Sequence, residues 1–258
     1  MRRFIAAALA STALAMPAMA ADLAPYVKSP VVVPWTWTGV YFGGDVGGAW
    51  SDNTATWSPL PSTAAFGVNS ISGNTGGSAF AGGFYAGYNY QFSPAFVVGI
   101  EGDWTGMRAT GAYNQAWTAF PGGGIVTGTS TAMNSEVEWA ATLRGRLGYL
   151  IWPNLMLYGT GGGAWGKIQY EGAASNGVGY VAGAQFNNTS SGWVAGGGLE
   201  WAPFTGFGLL FRVEYLYYDF ASGQSATAVA PGFPAFPSGF AWTAPKMSTA
   251  RFGMSYKF

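Results

Sequence analysis

The chain has 258 residues, carries no net charge, and contains neither cysteine nor histidine; only 9% of its residues are charged and 17% are aromatic. A soluble domain covers itself with about 25% charged residues, so this composition argues against an ordinary water-facing exterior. The missing Cys and His exclude a disulfide framework and the usual zinc, copper and haem ligand sets, so no cofactor is expected.

Residues 1–20 read as a secretory signal peptide. Arg2 and Arg3 form the positive start, Phe4 to Met16 the apolar core, and Ala18-Met19-Ala20 a small-x-small cleavage site. Cleavage there leaves Ala21 as the first of 238 residues, with a formal charge of −2. The core is too short to span a membrane, which takes about 20 apolar residues. Residues 21–36 carry three Pro and are expected to form an extended periplasmic tail.

From Trp37 onward the sequence alternates with a period of two, the mark of strands with two unlike faces. The first expected strand, 37–50, sets Val40, Phe42, Val46 and Trp50 against Tyr41, Gly43, Asp45 and Gly47. The second, 78–92, sets Phe80, Phe84, Tyr88, Tyr90 and Phe92 against Tyr85, Gly87, Asn89 and Gln91. The third, 95–108, sets Phe96, Val98, Ile100 and Trp104 against Glu101, Asp103 and Thr105. In the fourth, 136–150, Val137, Trp139, Ala141, Leu143, Leu147 and Tyr149 oppose Glu138, Thr142, Arg144 and Arg146.

The fifth strand, 155–171, is blurred by Gly159 and the run Gly161-Gly162-Gly163; Lys167 places its odd positions inward. That run continues to Gly166 in a G-x-G-x-x-G pattern. A dinucleotide site needs a helix after the glycines, and none is plausible here. In the sixth strand, 191–202, Trp193, Ala195, Leu199 and Trp201 oppose Val194, Gly196, Gly198 and Glu200. In the seventh, 207–220, Leu209, Phe211, Val213, Tyr215 and Tyr217 oppose Arg212, Glu214 and Tyr218. The eighth ends the chain: Phe252, Met254, Tyr256 and Phe258 alternate with Arg251, Gly253, Ser255 and Lys257.

Tight turns at Ser93-Pro94, Trp152-Pro153-Asn154 and Pro203–Gly206 alternate with long segments at 51–77, 109–135, 172–190 and 221–245. The long segments are rich in Ser, Thr, Asn, Gly and Pro and are expected to be loops. No segment offers an apolar helix of spanning length, and 41 glycines disfavour helix throughout. A non-helical chain in lipid must satisfy its backbone by closing into a barrel. The expectation is therefore all-β: an eight-stranded antiparallel up-and-down transmembrane β-barrel over 37–258, with short periplasmic turns and long outer loops. Aromatics beside the turns, such as Tyr90, Phe96, Trp152 and Phe207, form one girdle; Trp50, Trp104, Trp139 and Trp193 form the other.

The charged faces are expected to line the lumen. Turning the fourth strand over would put Arg144 and Arg146 into hydrocarbon at roughly 2–4 kcal/mol each. The inward set is Asp45, Glu101, Asp103, Glu138, Arg144, Arg146, Lys167, Glu200, Arg212, Glu214, Arg251 and Lys257, six acids and six bases. A one-sign ring would select ions, whereas a balanced set pairs internally.

Several pieces resemble the alphaproteobacterial family of small outer-membrane barrels, the outer membrane immunogenic or porin-family proteins. They include Trp37-Thr38-Gly39-Val40-Tyr41, Gly99-Ile100-Glu101-Gly102-Asp103, Leu143-Arg144-Gly145-Arg146-Leu147-Gly148-Tyr149, and Glu214-Tyr215-Leu216-Tyr217-Tyr218-Asp219. Arg251, Gly253, Tyr256 and the terminal Phe258 resemble the C-terminal assembly signal of such barrels. The resemblance implies an outer-membrane location. It also implies contact with outer-membrane lipid and lipopolysaccharide, and with periplasmic chaperones and barrel-assembly machinery during biogenesis. Nothing points to nucleic acid. Enzymatic barrels of this kind place a histidine at the catalytic centre, so no enzymatic activity is expected. A structural, surface-displayed barrel plugged by salt bridges is the first functional reading and a small passive porin the second. A third is ligand binding through loop aromatics: Trp57, Phe66, Tyr113, Trp117, Phe120, Phe233, Phe236 and Phe240.

Overall fold

The computed structural model describes residues 35–60, 70–116, 129–177, 179–232, 234 and 237–258. The expected signal peptide, its Ala18/Ala20/Ala21 cleavage site and most of the expected tail lie outside these residues. So do the loop aromatics Phe66, Trp117, Phe120, Phe233 and Phe236.

Twelve strands are present among the described residues: β1 (Gly39–Asp52), β2 (Thr54–Pro59), β3 (Ile71–Asn74), β4 (Ser78–Gln91), β5 (Phe96–Ala116), β6 (Ser130–Trp152), β7 (Leu155–Ser175), β8 (Val181–Phe204), β9 (Leu209–Phe220), β10 (Gln224–Val229), β11 (Pro237–Trp242) and β12 (Lys246–Lys257). Eight of them close into an antiparallel barrel in the order β1-β12-β9-β8-β7-β6-β5-β4. Ring closure pairs the last strand with the first, from Tyr41↔Lys257 to Asp52↔Lys246, so no barrel edge is left unpaired over that length.

The other four strands form a second sheet, β10-β11-β2-β3, at the loop end. This corrects the expectation of loops at 51–77 and 221–245. The six-residue β2 and β11 carry their own alternation: Ala55 and Trp57 are buried on one, Ser238, Phe240 and Trp242 on the other. Their prolines sit at strand borders, Pro59 ending β2 and Pro237 opening β11, where few ladder bonds are lost. The loop expectation for 109–135 and 172–190 is corrected in the same way. Strands β5, β6, β7 and β8 instead run well into them, up to Ala116, from Ser130, up to Ser175 and from Val181. The four-stranded sheet and these extensions share an apolar core that includes Trp57, Ile71, Met133, Tyr170, Phe240 and Trp242. Trp57 and Phe240 are thus core residues of this cap, which leaves them unfit for display to a ligand.

The barrel wall turns its large apolar residues outward. Phe84, Ile100, Leu143, Val213, Phe252 and Met254 are all exposed on the outer face. The girdle aromatics Trp50, Trp104, Trp193, Tyr90, Phe96, Trp152 and Phe207 point outward as expected, joined by Trp165. Strand β7 corrects the fifth-strand expectation: its even positions Met156, Tyr158, Ala164, Ile168 and Tyr170 are buried, so its odd positions, Lys167 included, face out. Strand β6 carries a bulge between Val137 and Trp139. An extra residue flips the faces on either side of it, so Val137, expected outside, is buried inside.

At the turn end the chain closes on itself. Trp37 is wholly buried, donates from Nε1 to the Pro153 carbonyl at 3.1 Å, and packs with Val97, Leu150, Met156 and Leu210. Trp35 leans edge-on against it, and the Thr36 hydroxyl donates to Gln91 Oε1 at 3.3 Å. Trp35 and Thr36, read from the sequence as tail, are therefore fastened to the barrel. Gly208 turns the β8–β9 connection at φ 69°, a left-handed conformation that disfavours a side chain.

Candidate functional site

The inward positions of the barrel between its two ends carry a network of buried charge. Strand β1 supplies Asp45, β5 supplies Glu101 and Asp103, β6 supplies Arg144 and Arg146, β8 supplies Glu200, β9 supplies Arg212 and Glu214, and β12 supplies Arg251. Each sits on a lumen-facing position because the strand period puts the apolar partner beside it on the wall.

Three of the four guanidiniums touch three carboxylates. Arg144 reaches Glu101 at 2.5 Å, Asp103 at 2.7 Å and Glu214 at 3.0 Å. Arg212 reaches Glu101 at 2.7 Å, Asp45 at 3.3 Å and Glu214 at 3.7 Å. Arg251 reaches Glu214 at 2.5 Å, Asp45 at 3.4 Å and Asp103 at 3.6 Å. Arg146 pairs with Glu200 and lies 3.4 Å from Glu101. Such charge-assisted bonds are the stronger kind, and they offset the desolvation of ions taken out of water.

Neutral groups complete the network. The Tyr41 hydroxyl donates to Glu101 at 2.8 Å and Tyr158 donates to Glu214 at 2.9 Å. Thr142 donates to Asp103 at 2.6 Å, and Arg251 donates to the Thr105 hydroxyl at 2.9 Å. The Arg212 guanidinium stacks 3.3 Å from the centre of the Tyr85 ring, and Arg146 lies 4.1 Å from that of Tyr158. With Tyr85 on β4 and Tyr158 on β7, every barrel strand contributes a side chain.

Glycines leave the room these side chains occupy. A Cβ on Gly253 would lie 3.0 Å from Arg212 Cγ and from the Tyr85 hydroxyl. A Cβ on Gly87 would run into the Tyr41 hydroxyl. Gly253, read from the sequence as part of the assembly signal, is thus also a packing position in the lumen. Arg251 has the same double standing. Tyr256 and Phe258 face outward, ring centres 4.9 Å apart, and Phe258 N–H donates to the Val40 carbonyl at 2.9 Å.

Three of the twelve residues expected in the lumen network stand elsewhere. Glu138 is the bulge residue of β6 and pairs at 2.8 Å with the outward Lys167 of β7, both partly exposed. Lys257 keeps its inward phase but lies at the turn-end mouth, its Nζ 4.8 Å from the Trp35 ring centre. The remaining nine are the network, five carboxylates against four guanidiniums. Sequence reasoning put Tyr41 and Tyr85 on the inner face without giving them a role. It missed Tyr158 because Lys167 set the phase of its strand. No group of three or more carboxylates suited to a metal ion occurs among the described residues.

Residues 37–258 match the OmpA-like transmembrane domain family. The chain is 31% identical to the 31 kDa outer-membrane immunogenic protein of Brucella melitensis, over 98% of this chain and 97% of that protein. It is 24% identical to a 22 kDa outer membrane protein of Rhizobium leguminosarum, over 76% of this chain and 70% of that one. Among solved structures it is similar to the outer membrane protein OprG of Pseudomonas aeruginosa, at 12% identity and a TM-score of 0.43, over 86% of this chain and 97% of that one.

Proposed function

The chain belongs to the family of OmpA-like transmembrane domains and is an integral outer-membrane β-barrel, and from that premise we propose that it is a closed structural barrel displaying its cap at the cell surface. The observation that carries this reading is the nine-charge network, in which each guanidinium meets at least two carboxylates inside the lumen. An eight-stranded barrel is only wide enough for its own side chains to fill. The apolar packing around Trp37 closes one end and the cap core closes the other, so solutes have no continuous polar path.

The barrel acts through its wall and its cap, without catalysis. The sequence holds no histidine to serve as a general base, and every carboxylate in the lumen is engaged by arginine. The turn end faces the periplasm and the cap faces outward, in keeping with the short-turn, long-loop plan of bacterial barrels. Single cysteines at the exposed Ser72 and Ser225 are expected to react with a membrane-impermeant thiol reagent on intact cells, and cysteines at Ser93 and Thr205 are not. The reverse pattern would contradict surface display.

A further inference from the structure

Above the lipid-facing band, the outer face of β6, β7 and β8 carries cross-strand rows of hydrogen-bonding side chains. Asn134, Glu171 and Gln185 stand side by side in one row, by the pairings Asn134↔Glu171 and Glu171↔Gln185. Glu136, Gln169 and Asn187 form the next row towards the membrane. Beyond the first row, Ala132, Ala173 and Gly183 leave a shallow trough, and the cleft they share with the first row has a volume of about 470 Å³. At the foot of the rows Lys167 pairs with Glu138, and below that Trp165 and Trp193 enter the lipid-facing band.

We propose that this face docks the uncharged sugars of the lipopolysaccharide core, the molecule whose acyl chains lie against the wall below. The inference rests on the outward orientation of the cap given above. Three features select a saccharide. Amide and carboxylate heads offer donors and acceptors in rows roughly 7 Å apart along strands spaced roughly 4.8 Å apart, dimensions that suit sugar hydroxyls. The two carboxylates are held in place by neutral donors: Gln185 donates to Glu171 at 2.6 Å, and Thr110 donates to Glu136 at 3.2 Å. Neither row contains a Lys or Arg, so a phosphate meets carboxylates and amides there and is repelled. The trough has only small side chains and lacks the buried aromatic anchor on which protein–protein affinity usually rests.

Continuity with the lipid-facing band identifies the source. A lipopolysaccharide seated against Trp165 and Trp193 carries its sugars upward along β7, directly over these rows. A free polysaccharide would have no such anchor.

The test compares the wild type with the triple variant Asn134→Ala, Glu171→Ala, Gln185→Ala, all three on the outer surface and outside the lumen network. Purified barrels in detergent are titrated with full-core lipopolysaccharide and, separately, with lipid A. The wild type is expected to bind full-core lipopolysaccharide more tightly than lipid A, and the variant to lose about tenfold for the full-core form alone, the effect of about three lost hydrogen bonds. Equal losses for both ligands, or none for either, would overturn the proposal. So would a wild type that binds the two ligands equally. Orientation is read separately by the thiol labelling, so an inverted barrel would be recognised as a failure of the functional reading rather than of the sugar site.

Discussion

Strand β7 passes through two environments, and its two halves are built on opposite rules. In the lower half the outward residues are apolar, Leu157 and Trp165, and the inward Tyr158 joins the ionic network. In the upper half the outward residues are Lys167, Gln169 and Glu171, and the inward ones are Ile168 and Tyr170. The same inversion occurs on β5, where outward Ile100 and Trp104 give way to Arg108 and Thr110 while inward Glu101 and Asp103 give way to Met107 and Ala109. In lipid the wall must be apolar outside and its charges must pair inside. Beyond lipid the same strands obey the rule of a soluble sheet, apolar inside and polar outside. Strand β6 makes the switch differently: its apolar alternation runs on through Val137, Trp139 and Ala141, and the bulge moves that alternation from one face to the other.

The largest expected effect follows from breaking the ionic half. Arg212→Ala leaves Asp45, Glu101 and Glu214 short of a partner in the interior, and breaking such a buried pair costs about 3–5 kcal/mol. Urea unfolding in detergent, followed by the heat-modifiable band on a gel, checks this; a shift within experimental error would contradict the role given to the network. Trp242→Ala empties the cap core at a similar local cost of about 3–5 kcal/mol. Its signature differs: the cap is expected to become protease-sensitive on intact cells while the heat-modifiable barrel persists. Loss of both together would mean the two halves fold as one unit.

The boundary is sharpened by placing the same charge on either side of it. Leu143→Arg sets a cation in the lipid-facing wall at about 2–4 kcal/mol, if near the midplane. Asn134→Arg, on the same strand and the same outer surface, is expected to stay within about 0.5 kcal/mol. Equal costs in a bilayer refolding titration would erase the boundary drawn between Trp165 and Lys167. Within the lumen a smaller effect is expected from Gly253→Ala, which crowds Arg212 and Tyr85 by a single methyl and costs about 1 kcal/mol as overpacking. Deleting Phe258 is expected instead to slow insertion while leaving that stability nearly intact. Matched insertion rates for the deletion and the wild type would leave the terminal aromatic without a role in assembly.

The switch between the two halves also determines what is legible in the sequence. The eight barrel strands, and the outward phase of seven of them across the lipid-facing band, follow from period-two alternation, because one solvent acts on the whole of each short span. Lys167 misled the reading of β7 because a charge points inward only within lipid, and Lys167 lies above it. Glu138 was misplaced because a bulge leaves no mark in an unbroken alternation. The cap strands were missed because Ser, Thr and Asn on water-facing strands resemble loop composition, and because β2, β3, β10 and β11 are too short for periodicity to stand out. Nine lumen charges were legible as inward, but their partners were not. Pairing depends on how Tyr41, Tyr85 and Tyr158 fill the space that glycines such as Gly87 and Gly253 leave open, and this is set by the shear of the closed ring.

The measurement that bears most directly on the central claim is ion conduction through the purified barrel in planar bilayers. The wild type is expected to be silent or to show rare small openings, because its charges pair across the lumen and both ends are packed. Arg144→Ala with Arg146→Ala removes half of the network's guanidiniums and leaves five carboxylates facing Arg212 and Arg251. That variant is expected to leak and to favour cations. Steady, large conductance from the wild type, unchanged by the double substitution, would contradict a closed lumen and make the barrel a passive porin.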